Sequence, residues 1–517
     1  MGDEDARPTV AAVSDDEGDE DDEGMPLLKK VQQARRKAPP LSYPILWVVG
    51  LGAVHAVMVR LDSALTFPYL RTLQRCGGVL PHDAAVGWSG SDLCQDRDLV
   101  SREAQALTGY VQCLGLLAHS VCLPALGWVG DRFGRKLLII LYFIGLAVAC
   151  AMNAVAGSIP VFFAATAVHH ASNGLTPALL AMIADELPPS DRMPAYWLYA
   201  ITVVPAAAFT YLSVTHYVLA RHLHSYEVLW SSLACLAALC GVVSCVCPET
   251  LQRPSSGTAD EEHASWDRTK GNRVRYCAPV RVLSCCCARP HADEQGSRGG
   301  APWSVLAPYA SPSLRFIMMV EAPAVVGLAA FNTLDGFALI AYAWEQEAMY
   351  YARLAALPSA ALSLVGSSWM LRNLGARGTL QFALACLSAA LVIMCFAQWH
   401  VMLLYLSLAF AGGFALVVFP ILRLLSAQAE PSQQAGATAA IISVAHGAKA
   451  VGIALQSYLF ENGAMRGLLF APYALGSVGA IGALLVALTC SPPEHAFTPP
   501  RTPDPGKEAH PERSRDS

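Results

Sequence analysis

The residues of this 517-residue chain that could do chemistry stand where they are most expensive to place, inside long apolar runs. His446 and Lys449 are three positions apart, so on a helix they share a face. Lys449 lies so deep in its run that its ammonium cannot easily reach either surface, and it calls for a carboxylate or an anionic solute. In another run His169, His170 and Asn173 approach the middle. Adjacent histidines on a helix point about 100 degrees apart, so the two cannot line one surface equally. Glu321, followed by Pro323, is the acid best placed to carry a proton. Arg60, Asp62 and Asp335 lie toward run ends, where an interfacial ion pair reads as well as a binding site. His55, His119 and Arg423 are weaker candidates of the same kind. The signs are mixed, so an organic anion, a zwitterion and a polar neutral solute all stay open.

Other chemistry is not signalled. No nucleophile with a base, no phosphate-cradling loop and no metal-ligand spacing stands out, so the chain does not read as an enzyme and no cofactor or metal is expected. The basic clusters are juxtamembrane, which argues against a nucleic-acid partner.

The elements that position these residues follow from composition. With 54% hydrophobic and 15% charged residues, the chain is expected to be an all-α polytopic membrane protein in a lipid bilayer. Apolar segments of spanning length fall near 43–67, 104–126, 137–156, 159–184, 194–219 and 227–247, then near 313–341, 346–371, 379–397, 399–424, 436–460 and 467–490. The plan is therefore twelve transmembrane helices in two sets of six, residues 43–247 and 313–490, joined by a charged, Gly/Pro/Ser-rich cytosolic linker at 248–312. Residues 1–42 and 491–517 read as disordered cytosolic tails. Basic residues before the first helix, in the 127–136 link and in the linker place both ends in the cytosol.

Two smaller readings concern trafficking and thiols. Glu23, Leu27 and Leu28 have the acidic dileucine form, an address for an endosomal or lysosomal sorting adaptor; without it, the plasma membrane is the other destination. Cys76 and Cys94 share the longest external loop and form a disulfide or remain free thiols.

Between the second and third apolar runs stands Gly127-Trp-Val-Gly130-Asp131-Arg132-Phe-Gly134-Arg135-Lys136, read as a ten-residue link between two spans. This G-x-x-x-D-R-x-G-R-K pattern resembles the signature loop of the major facilitator superfamily of secondary transporters. The resemblance implies two pseudo-symmetric six-helix halves that move a small solute by alternating access, with proton coupling suggested by the titratable groups in the runs. It also implies that Asp131 meets the start of the eleventh helix, near 435–437, and closes the cytosolic side. A weaker copy, Leu371-Arg-Asn-Leu-Gly375-Ala-Arg377, follows the eighth helix with Arg372 in place of the acid. The stretches from Ala184-Asp185 through Arg192 to Tyr196, and Pro248-Glu249-Thr250-Leu251, resemble the tetracycline-exporter-like and hippocampus-abundant-transcript-like branch. They place Asp185, Arg192 and Glu249 in a charge network with Asp131 and Arg135. A transport-dead receptor or scaffold and a multidrug-type exporter are the alternative readings.

Overall fold

The computed structural model describes residues 43–75, 97–156, 158–188, 191–213, 226–251, 312–344, 346–428, 434–490 and 492, and every regular element among them is helical. The dileucine, Cys76 and Cys94, the N-terminal tail, the C-terminal tail apart from residue 492, and nearly all of the linker lie outside the described residues. In chain order the first set of helices is α1 (Tyr43–Arg75), α2 (Arg97–Phe133), α3 (Arg135–Val155), α4 (Ile159–Ala171), α5 (Leu175–Glu186), α6 (Arg192–Ser213) and α7 (Tyr226–Ser244). The second set begins with α8 (Pro312–Leu328), α9 (Leu334–Tyr342), α10 (Gln346–Leu354) and α11 (Ala356–Asn373). It continues with α12 (Gly375–Phe396), α13 (Val401–Gly413), α14 (Val418–Gln428), α15 (Gln434–Ala464) and α16 (Ala471–Cys490). Short 3-10 stretches, Ala329–Thr333 and Phe414–Val417, carry α8 into α9 and α13 into α14.

Eight helical stretches among the described residues are long and apolar enough to cross a bilayer, and Tyr43–Val59 and Val228–Ser244 are shorter apolar helices. Their outward faces carry large exposed apolar side chains, among them Val121, Val155, Leu362 and Trp369. Water would not tolerate that surface, whereas lipid covers it without cost. The protein is an all-α polytopic membrane protein, and eight of the twelve expected spans meet the length and apolarity of a crossing.

Three departures from the expected elements matter. The link at 127–136 is not a loop: α2 runs to Phe133, α3 begins at Arg135, and only Gly134 stands between them. Continuing the helix keeps backbone hydrogen bonds satisfied at the membrane surface, and a single glycine at φ 120° reverses the chain. The segment expected as one helix at 159–184 is two, because Ser172, Asn173 and Gly174 interrupt the ladder. The segment at 346–371 is likewise broken, at Ala355.

The axis of the fold is the antiparallel pair α2 and α15, whose residues touch in strict register. Ala435 and Gly436 meet Asp131, Ala439 faces Gly127, Ser443 faces Ser120, His446 faces His119, and Ser457 faces Gly109. Small residues make this closeness feasible. A β-carbon on Gly127 would lie 2.5 Å from that of Ala439, and one on Gly109 would lie 1.9 Å from the Ser457 hydroxyl. Around the pair, α1 packs on α6, α3 on α7, α8 and α12 on α16, and α6 on α11.

Candidate functional site

At one end of the seam the charged residues form a compact lattice. Asp131 Oδ2 accepts the backbone N–H of Gly436 at 2.7 Å, and Oδ1 accepts that of Ala435 at 3.2 Å. Both amides belong to the first turn of α15, where N–H groups have no partner within the helix and carry its positive dipole end. Asp131 also pairs with Arg135, four residues on and across the Gly134 turn. Arg135 is wholly buried, and its Nε donates to Asp185 Oδ2 at 3.2 Å, which also accepts from the Thr250 hydroxyl at 3.1 Å. One buried guanidinium thus ties α2, α3 and the end of α5 together through two carboxylates.

Glu249 joins this lattice by another route than an ion pair. Its Oε1 accepts the backbone N–H of Arg135 at 3.0 Å and its Oε2 that of Lys136 at 3.2 Å, so it caps α3 from across the fold. Gly134, the local N-cap, has no side chain to do so. Arg192 binds carbonyls: Nε donates to Leu187 at 3.0 Å, Nη2 to Ala184 at 2.9 Å, and Nη1 reaches the Ser426 hydroxyl on α14 at 3.1 Å. It closes the exposed end of α5 and links the two sets of helices. Arg132 points away, its guanidinium 5.4 Å from the Trp128 ring centre. In the second copy Gly375 also has positive φ, at 70°, while Arg372 is exposed.

Midway along the seam lies a cluster of imidazoles. His119 on α2 and His446 on α15 meet Nδ1 to Nδ1 at 2.8 Å. Beside them Ser120 and Ser443 exchange hydrogen bonds, each hydroxyl donating to the other's carbonyl, at 2.8 and 2.6 Å. The rings then continue into the first set. His170 lies 6.1 Å from His119, His169 5.1 Å from His170, Tyr142 on α3 6.1 Å from His169, and His55 on α1 5.1 Å from Tyr142. The last pair shares a hydrogen bond of 2.7 Å between His55 Nδ1 and the Tyr142 hydroxyl. The break at 172–174 leaves Asn173 buried here with its side-chain Oδ1 unpartnered among the described residues. Lys449 is within electrostatic reach of both His170 and His446.

The other candidates scatter. Glu321 on α8 has a buried oxygen, Oε2, with no partner among the described residues. Asp335 is held by Arg353 of α10, through contacts of 2.7 and 3.0 Å. Arg60 and Asp62 fall on α1, but their side chains lie outside the described residues. Among the described residues no group of three potential ligands is placed to hold a metal. Sequence reasoning did not find Tyr142, Arg353, the Ser120–Ser443 exchange or the capping role of Glu249. Tyr142, Ser120 and Ser443 carried a weak signal, as hydroxyls within apolar runs, and Arg353 another, as a charge within one.

Fold and site together define a multi-pass helical membrane protein whose two sets of helices meet along one latched seam. Residues 101–344 match the model of the Major Facilitator Superfamily. The crystal structure of the human organic anion transporter MFSD10 (TETRAN) superposes with a TM-score of 0.61 at 17% identity, covering 87% of this chain and 100% of that one. The xylose transporter XylE from E. coli, in a partially occluded inward-open conformation, gives a TM-score of 0.57 at 15% identity, over 87% of this chain and 98% of XylE. An 87-residue stretch is 37% identical to a triacylglyceride transporter of Mycolicibacterium hassiacum, spanning 17% of this chain and only 15% of that relative's length. The match to the superfamily thus rests on residues 101–344, and the chain has the major facilitator fold.

Proposed function

We propose that the protein is a secondary active transporter that moves a small organic anion by alternating access, with proton coupling. In this reading the halves 43–247 and 313–490, six spanning helices each, rock about the seam, and the Asp131 end is cytosolic. The observation that carries it is the seam itself. A charge-assisted contact between Asp131 and the first turn of α15 is strong enough to hold two bodies together and local enough to be released as a unit. The cluster of His55, His119, His169, His170 and His446 with Lys449 favours an anionic cargo, because the groups that act electrostatically on His170 and on His446 are themselves basic. The likeness to the human organic anion transporter is consistent with this. Lys449 is the residue assigned to the anion, and Glu321, His169, Asn173 and Asp335 are assigned to the pathway around it. Asp185, Arg192 and Glu249 support the gate.

The test is flux in proteoliposomes carrying the full chain, with an inward proton gradient and a panel of organic anions, sugars and amphipathic drugs. Uptake of an anion that is abolished by Lys449→Ala and lowered by Asp131→Ala supports the reading. Efflux confined to amphipathic drugs would place the protein with the exporter-like branch instead, and no flux of any solute would favour a receptor or scaffold. The sorting proposal is separate: replacing Leu27 and Leu28 by Ala should shift the protein from endosomal membranes to the cell surface, and an unchanged distribution would remove it.

A further inference from the structure

His119 and His446 come from the two sets of helices and face each other through like atoms, Nδ1 to Nδ1, at 2.8 Å. That geometry restricts their protons. One nitrogen must carry a hydrogen and the other must offer its lone pair. Two neutral rings satisfy this with opposite tautomers. An imidazolium beside a neutral imidazole satisfies it as well, since the charged ring donates and the other accepts. Two imidazolium rings cannot, because both nitrogens then carry a hydrogen along the same line and two positive charges stand in contact. The contact therefore admits one added proton and rejects a second.

We propose that the His119–His446 pair is the proton-binding site that couples proton uptake to separation of the halves: its second proton can be held only when α2 and α15 part. This deepens the alternating-access reading and rests on it for its physiological meaning. The position suits the role. The pair sits between the Gly127–Ala439 contact on one side and the Gly109–Ser457 contact on the other, so a repulsion there acts on the whole seam. The adjoining Ser120–Ser443 exchange holds the register that makes the rings meet head-on.

The surroundings supply an electrostatic bias. From α4, His170 faces His119, and beyond it His169, Tyr142 of α3 and His55 of α1 continue the row of rings, which ends in the His55–Tyr142 hydrogen bond. From α15 itself Lys449 adds positive charge. Glu321 on α8, which packs against α15, has a buried carboxyl, while Asp131 and Arg135 lie at one end of the seam and Glu103 and Glu461 toward the other. The Asp131 contact and the histidine pair thus oppose each other. One is an attraction that persists while the aspartate is charged, the other a repulsion switched on by acid.

Backbone hydrogen exchange of the full chain in lipid nanodiscs tests this without a transported solute. The reporters are the amides of Ala435 and Gly436, which Asp131 protects. After correction for the chemical pH dependence of exchange, lowering the pH from about 7.5 to about 5.5 should raise their exchange by about tenfold in the wild type. His119→Gln and His446→Gln cannot take the second proton and should show less than about a twofold rise. Asp131→Asn should exchange fast at both pH values, which verifies that the reporters read opening. An unchanged wild type, or Gln variants that keep the full acid response, would overturn the proposal; the latter would assign the response to Asp131 or another group.

Should the Gln variants fail to fold, nitrogen-15 NMR of histidine-labelled wild-type protein decides. Expected near neutral pH is a coupled pair of Nδ1 signals, one protonated and one bare, replaced on acidification by two uncoupled protonated signals. Persistence of the coupled pair to about pH 5 would also overturn the proposal. Neither readout needs flux. A protein that transports nothing but opens with acid through these two histidines refutes the transport reading alone, and one that transports without this response refutes the histidine site alone.

Discussion

Glu249 caps a helix that begins 114 residues before it, accepting the backbone N–H groups of Arg135 and Lys136 through its two carboxylate oxygens. The cap is needed because α3 starts directly after Gly134, whose backbone at φ 120° offers no side chain to its orphan amides. Replacing Glu249 by Ala should lower stability by about 1–2 kcal/mol, the usual effect of losing an N-cap, while Gln should retain part of it. Thermal unfolding in nanodiscs checks this, and equal melting of all three proteins would refute the capping role.

Gly134 is constrained twice, by conformation and by space. A β-carbon there would meet Glu249 Oε2 at 2.2 Å in a backbone region that side chains avoid. Gly467, at φ 73°, has the conformational restriction but open space around it. Gly134→Ala should therefore cost several times as much as Gly467→Ala, for which about 1 kcal/mol is expected. Comparable unfolding midpoints for the two variants would contradict this reading.

Arg135 and Arg132 are three apart and should behave oppositely. Arg135 is buried between Asp131 and Asp185, whereas Arg132 lies on the surface beside Trp128. Lysine at 135 cannot reproduce the planar fork and leaves a buried carboxylate poorly paired, a loss on the order of 3 kcal/mol. Arg132→Lys should stay within about 0.5 kcal/mol of wild type. Expression and melting temperature of the two variants in parallel give the comparison.

The seam predicts opposite gating phenotypes from the same substitution. Gly127→Val would press against Ala439 and the carbonyl of Ala435 and should hold the Asp131 end open. Gly109→Val would press against Ser457 and Ile453 and should open the other end. Labelling of single cysteines introduced near each end, by a reagent that does not cross the membrane, should rise at the Asp131 end in the first variant and at the opposite end in the second. A rise at the same end in both would show that the seam does not behave as a lever.

Much of this was legible in the chain itself. Apolar runs of bilayer length determine that the protein is helical and polytopic, because no other backbone arrangement in these runs satisfies its hydrogen bonds in lipid. The spacing G-x-x-x-D-R-x-G-R-K is local, so it could be read before any fold was known, as could the placement of His169, His170, His446 and Lys449 inside apolar runs. Local information also limited that reading. A ten-residue charged stretch reads as a loop, and nothing nearby announces that α2 and α3 abut at one glycine.

What only the tertiary structure decided are the partnerships between residues far apart in sequence. His119 and His446 are 327 positions apart, Asp131 and Gly436 are 305 apart, and Arg135 and Glu249 are 114 apart. Each depends on how two helices pack, and helix packing is set by the fit of whole faces rather than by the residues that end up touching. Asp335 was one acid among several until Arg353 was found beside it. Composition determined which groups are costly to bury in this protein; only the register of α2 against α15 decided which of them face one another.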